Sequence, residues 1–152
     1  MLPVIISATL LTVDEVEDLL SQKDCYYSEW WWTRSPGGCS DSVIDLRYKI
    51  IHYEGSNTAW GETFVRPALN ITGVYDCGLK IGDTFVFGGK TFKVISCNLA
   101  FCLEDIGQCC FREDFDAPDA NIYDASDVKR FIDKWFEEAL TEQVNTAMQL
   151  LA

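Results

Sequence analysis

Leu79-Lys80-Ile81-Gly82-Asp83-Thr84-Phe85-Val86-Phe87-Gly88-Gly89-Lys90-Thr91-Phe92-Lys93-Val94-Ile95-Ser96 is the stretch that decides the fold class. Two β-rich runs, Leu79 to Phe87 and Thr91 to Ser96, flank Gly88-Gly89. A two-glycine link supplies the positive φ angles that a tight hairpin turn needs, so the spacing predicts an antiparallel hairpin. Leu99 to Leu103 is apolar enough to add a further strand. Upstream, Ser42 to Tyr53 alternates loosely and reads as one or two strands, with Glu54-Gly55-Ser56-Asn57 as a turn. Thr63 to Arg66 and Ala68 to Ile71 read as a strand interrupted by Pro67, which suits an edge or a bulge. Tyr26 to Arg34 is aromatic and β-prone, and Ser35-Pro36-Gly37-Gly38 then turns the chain.

Helices bracket these strands. Thr12 followed by Glu15 is a capping box, and Val13, Val16, Leu19 and Leu20 recur at helical spacing, predicting a helix from Val13 to Ser21. Asp124 or Ser126 is placed to cap a second helix with Val128, Phe131, Ile132, Trp135 and Phe136 on its buried stripe. Thr141 is placed to cap a last one that turns Val144, Met148 and Leu151 inward. The whole predicts an α+β fold with a mainly antiparallel sheet and two to three helices.

The 152 residues fit a single domain spanning 1–152. No stretch approaches the roughly 18 uninterrupted apolar residues of a membrane span. A formal net charge of −12 repels phosphate backbones, which argues against direct nucleic-acid binding and for a partner with a basic surface. Seven cysteines cannot all pair internally. Met1 to Leu11 lacks the basic start of a secretory signal, and acids follow it at once. A reducing cytoplasm, or a virion assembled there, is therefore expected, with most cysteines as small buried residues on strands. Cys97, Cys102, Cys109 and Cys110 lack the two close ligand pairs of a zinc site, and no cofactor is expected.

Two passages carry a family resemblance. Trp31-Trp32-Thr33-Arg34-Ser35-Pro36-Gly37, then Val65-Arg66-Pro67-Ala68-Leu69, resembles the signature of a bacterial and phage domain family of unknown function. That family is related to the formylglycine-generating-enzyme type of C-type-lectin fold. Its pattern has leucine where Thr33 stands. The helix at Leu10–Val16, the Ile81–Val94 hairpin and the helix at Asp127–Phe136 are also similar to family elements. The order differs: the family's closing half matches residues 1–72 and its opening half matches 79–152. The resemblance thus implies a circular permutant or halves exchanged between chains. Permutation at adjacent termini is tolerated, and Thr72 to Gly78 is short enough to join them, so one permuted lectin-like domain is the expected form. It predicts that Phe64–Ile71 pairs antiparallel with Lys80–Phe87.

Of Trp30, Trp31 and Trp32, at least two are expected in the core. Tyr26, Tyr27 and Trp60, near turns, are the candidates for an exposed binding face. Arg34 and Arg66 are expected to brace loops, as Trp31 and Trp32 hold the interior. Six acids and no base lie from Glu113 to Val128. Among them Asp114, Asp116 and Asp119 are binding candidates, although they do not follow a calcium-loop pattern. A nucleophilic cysteine would have only His52 as base, so no enzyme is expected.

Function is therefore expected to be that of a non-enzymatic protein- or glycan-binding module, phage- or prophage-encoded and used in virion attachment, decoration or assembly. Its recognition surface is expected on loops Ser35–Asp41, Glu54–Gly61 and Asp114–Asn121. The alternative is an acidic inhibitor that imitates nucleic acid and occupies the basic groove of a host defence protein.

Overall fold

The computed structural model describes residues 2–22 and 29–151. Among these described residues, eight strands form two antiparallel sheets, accompanied by two α-helices. The first sheet has the order β1 (Val4–Thr9), β5 (Ala68–Thr72), β8 (Leu99–Cys102), β7 (Lys90–Ser96), β6 (Thr84–Phe87). The second is a meander of β2 (Trp30–Pro36), β3 (Ser42–Arg47) and β4 (Ile50–Asn57). Residues 63–65 stitch the two together. Phe64 N–H donates to the Trp30 carbonyl at 2.8 Å, and Val65 N–H donates to the Gly107 carbonyl at 2.9 Å. The result is a curled α+β architecture.

The Gly-Gly hairpin forms as expected, with Phe87 paired to Lys90. Gly88 and Gly89 have φ of 59° and 73°, a left-handed pair that glycine adopts at no steric cost. Gly88 also lies under α2 (Asp127–Leu151): a Cβ there would stand 2.8 Å from the Ala139 Cβ. Helix α1 (Val13–Leu20) starts at the expected capping box, with the Thr12 side chain and Glu15 satisfying each other's backbone donors. It packs Val16 and Leu19 beside Trp31, Leu46 and Phe101. Helix α2 covers the other side of the first sheet, where Trp135, Phe136 and Ala139 meet Phe87, Phe92 and Ile71. The central strand β8 is accordingly buried along its whole length.

Several expectations are corrected. Phe64–Ile71 does not pair with Lys80–Phe87: β5 sits between β1 and β8, while β6 forms the far edge of the same sheet. The apolar Val4–Thr9 segment, which has no clean alternation, takes the place beside β5 instead. Pro67 does not interrupt a strand but precedes one, leaving Phe64 in isolated bridges to Trp31 and Gln108. Glu54–Asn57 is the end of β4 rather than a turn. Gly55, at φ 85°, lets the strand bulge against β3, where a Cβ would meet the Val43 carbonyl oxygen at 2.4 Å.

Thr141 caps nothing. Its hydroxyl donates to the Glu137 carbonyl inside one continuous 25-residue helix. Val144, Met148 and Leu151 face solvent. Ser126 is the residue that caps α2, accepting from Lys129 N–H at 3.0 Å. Of the described cysteines only Cys102 is buried; Cys39 and Cys97 are exposed, and all six are free thiols. No helix among the described residues is long and apolar enough to cross a membrane.

Candidate functional site

Three consecutive tryptophans are placed in three environments. Trp31 and Trp32 point to opposite faces of β2, and both are fully buried because each face is covered. Trp31 packs on Phe101, with ring centroids 5.1 Å apart. Trp32 meets Phe111 edge-on, and its indole N–H donates to the Cys109 carbonyl at 2.9 Å. Trp30, at the open end of β2, has no such cover. Its ring tilts against Trp60 at 5.6 Å and takes the Arg47 guanidinium 4.2 Å from its centroid.

Arg47 is held there by a buried acid. Asp45 is wholly inaccessible; its carboxylate accepts from His52 Nδ1 at 3.0 Å, Ser56 Oγ at 3.0 Å and Arg47 Nε at 3.4 Å. Ser56 Oγ in turn accepts from Arg47 Nη2 at 2.7 Å. The cross-strand register brings this about, because Asp45 faces His52 and Trp30 faces Arg47. A carboxylate can only accept, so the Asp45 contact fixes the proton on Nδ1 of the imidazole. The Ser56 hydroxyl is given to Asp45 and not to His52, so the three residues do not form a nucleophile–base pair.

Beside Trp30 opens a cleft of about 490 Å³ lined by Glu29, Trp30, Tyr48, Glu62, Phe64 and Gln108. Each element contributes for a local reason. Phe64 comes from the stitching segment next to β2. Gln108 is pinned by its side-chain amide, which donates to the Glu62 carbonyl at 2.9 Å. Tyr48 is presented by the two-residue turn joining β3 to β4, in which Tyr48 and Lys49 have φ of 51° and 76°. Two non-glycine residues in left-handed conformation store backbone strain, and such strain clusters at sites of function. Burial, and then the neighbouring Asp105, hold the Glu29 carboxyl above its usual value, while Arg66 pulls it down. Glu62 makes no salt bridge among the described residues.

The sequence candidates fall as follows. Trp60 is 42% exposed and packs against Trp30 without itself lining the cleft. Tyr26 and Tyr27 lie outside the described residues. Arg66 is 3% exposed and its guanidinium donates to the Leu103 and Glu104 carbonyls, packed over Phe101 at 5.3 Å. Arg34 is exposed, and its backbone N–H donates to the Leu11 carbonyl. Asp114, Asp116 and Asp119 are exposed; Asp119 pairs with Arg112 at 3.4 Å. No group of three or more His, Cys, Asp or Glu side chains gathers among the described residues. The three nominated loops do meet: Asn121 Nδ2 donates to the Cys39 carbonyl, and Thr58 N–H donates to the Asp41 carbonyl.

Tyr48, Glu29, Glu62, Phe64 and Gln108 escape a reading of the sequence. Only the Trp30 end of the aromatic run was a signal, because the cleft is assembled from four separate segments. No family model, curated protein or solved structure matches this chain.

Proposed function

We propose that the chain is a non-enzymatic binding module that engages a protein partner through the cleft beside Trp30 and the loops that adjoin it. One observation carries this: aromatic rings and two acids, Glu29 and Glu62, share a cleft whose walls are strand ends and short turns, a rigid setting for recognition. The chain's net charge of −12 favours a basic partner surface. A C-type-lectin-like fold with its halves in exchanged order is part of the same reading. It is supported by the β5–β8 pairing, which joins the two sequence halves in one sheet. A phage or prophage setting, in the host cytoplasm or on the virion, follows from the Trp31–Gly37 and Val65–Leu69 resemblance.

The acidic-inhibitor reading draws support from the exposed Asp114, Asp116, Asp119 and Asp124 on one surface segment. Affinity capture on the immobilised chain separates the two. A partner held by the cleft is lost with Tyr48→Ala or Trp60→Ala and retained with Asp114→Asn/Asp116→Asn/Asp119→Asn. The opposite pattern, with release by salt, replaces the cleft by the acidic segment. Binding to glycans alone removes the protein partner.

A further inference from the structure

The same cleft has a chemistry narrower than protein binding. Its aromatic lining is Trp30, Tyr48 and Phe64, and its charged lining is Glu29 and Glu62. Ring faces carry negative quadrupole charge and attract organic cations. Carboxylates act in the same direction, whereas anions are repelled by this pairing. One face of Trp30 already carries a guanidinium, Arg47 at 4.2 Å, so that face is closed to a second cation and Trp30 serves the cleft as a wall. The charge of Arg47 is met by Asp45, on which its Nε rests at 3.4 Å, so it does not neutralise Glu62. The volume, about 490 Å³, is within the range of small-ligand sites.

We propose that this cleft receives a single alkylammonium group, with Tyr48 and Phe64 beside the cation, Trp30 as a wall of the cleft, and Glu29 and Glu62 supplying the countercharge. The inference rests on the reading of the cleft as the binding site and specifies what enters it. A lysine side chain of a partner protein and a free quaternary amine share this chemistry. The strained turn is consistent with the role. It holds Tyr48, 66% exposed, at the rim of the cleft, in a conformation that the turn itself does not favour.

The test is a titration of the ¹⁵N-labelled chain followed at the tryptophan indole resonances, assigned by Trp30→Phe and Trp60→Phe. The probes are tetramethylammonium, a peptide with one trimethyllysine, the same peptide with unmodified lysine, and 3,3-dimethylbutan-1-ol. The last has the shape of choline without its charge. The expected result is saturable shifts of the Trp30 and Trp60 indoles with the cations, and at least tenfold weaker binding of the neutral alcohol. Glu62→Gln weakens the cations about fivefold, and Tyr48→Ala does so without loss of thermal stability, since Tyr48 is on an exposed turn. The two peptides compared with tetramethylammonium show whether lysine or a free amine is the source. Equal binding of the alcohol, indifference to Glu62→Gln, or no shift at Trp30 overturns the proposal. If the cations fail while a partner protein still depends on Tyr48 and Trp60, the ammonium assignment falls and the binding-module reading stands.

Discussion

Replacing Asp45 by alanine removes the acceptor on which three side chains of the second sheet converge. The carboxylate is fully buried, and it takes hydrogen bonds from His52, Ser56 and Arg47. Ser56, itself buried, then keeps a hydroxyl with one acceptor fewer, Arg47 loses its counterion, and His52 Nδ1 loses its hydrogen-bond partner. Breaking a fully buried pair costs about 3–5 kcal/mol. Arg47 and His52 are about one-third accessible (35% and 36%) and recover part of that from water, which sets the expectation near 3 kcal/mol. For a chain of this length that lowers the Tm by roughly 6–12 °C. Urea unfolding followed by circular dichroism measures it, with an unchanged m-value as the check that the unfolded state is the same. Asp45→Asn, which keeps the shape and one acceptor oxygen, should cost about half as much. The Asp45/Arg47 double-mutant cycle should show coupling of at least about 1 kcal/mol. A loss under about 1 kcal/mol in Asp45→Ala would mean that the cluster is solvated and does not hold Arg47 against Trp30.

Other outcomes follow from the same structure. Tyr48→Asn with Lys49→Gly suits both turn positions to their left-handed φ and should stabilise the chain by about 1 kcal/mol, while weakening ammonium binding; a loss of stability refutes the strain argument. Gly55→Ala places a Cβ 2.4 Å from the Val43 carbonyl oxygen and should cost at least about 2 kcal/mol by urea titration. Burial pushes the thiols of Cys102 and Cys109 up to about 11 and the Tyr123 phenol to about 12. These groups hold protons in the folded chain that the unfolded chain releases at lower pH. Their contribution is complete below the unfolded values and is lost as pH rises through the folded ones. The urea midpoint should therefore fall steadily from about pH 9 upward, and Cys102→Ala should remove part of that slope. Ammonium affinity should rise with pH through the elevated Glu29 value, as the carboxyl flanked by Asp105 and Arg66 ionises to face the cation. A flat profile between pH 4 and 7 counts against Glu29 as countercharge.

What was legible in the sequence was local. The capping box at Thr12–Glu15, the Gly88-Gly89 hairpin and the apolar stripe of α2 each specify their element within a few residues, and each forms. Strand partners were not legible, because β5 meets β1 and β8 across long stretches of chain. Its apolar residues fit either side equally. The end of α2 misled for a related reason. Thr141 has the chemistry of a cap, but nothing in the following residues stops a helix, so the helix runs on and leaves Val144 and Met148 in water. The exposure of Trp60 and the buried positions of Trp31, Trp32 and Arg66 were readable from residue type and context. Tyr48 and Glu62 were not, since a turn tyrosine and a surface glutamate become meaningful only when the stitching segment sets them beside Trp30.

The position of β5 has a consequence for how the chain is made. As synthesis proceeds, β1 and β5 can zip together while the strand that will flank the other edge, β8, is still unmade. Until β8 arrives, the nascent sheet offers an open row of backbone donors and acceptors flanked by Leu69 and Ile71, a template for pairing with a neighbouring copy. The meander of β2, β3 and β4 needs no such wait. Aggregation during expression should therefore track the time between those two strands, rising when ribosomes are slowed after β5 has left the exit tunnel and before β8 has, and falling when a charged side chain replaces Thr72 at the rim.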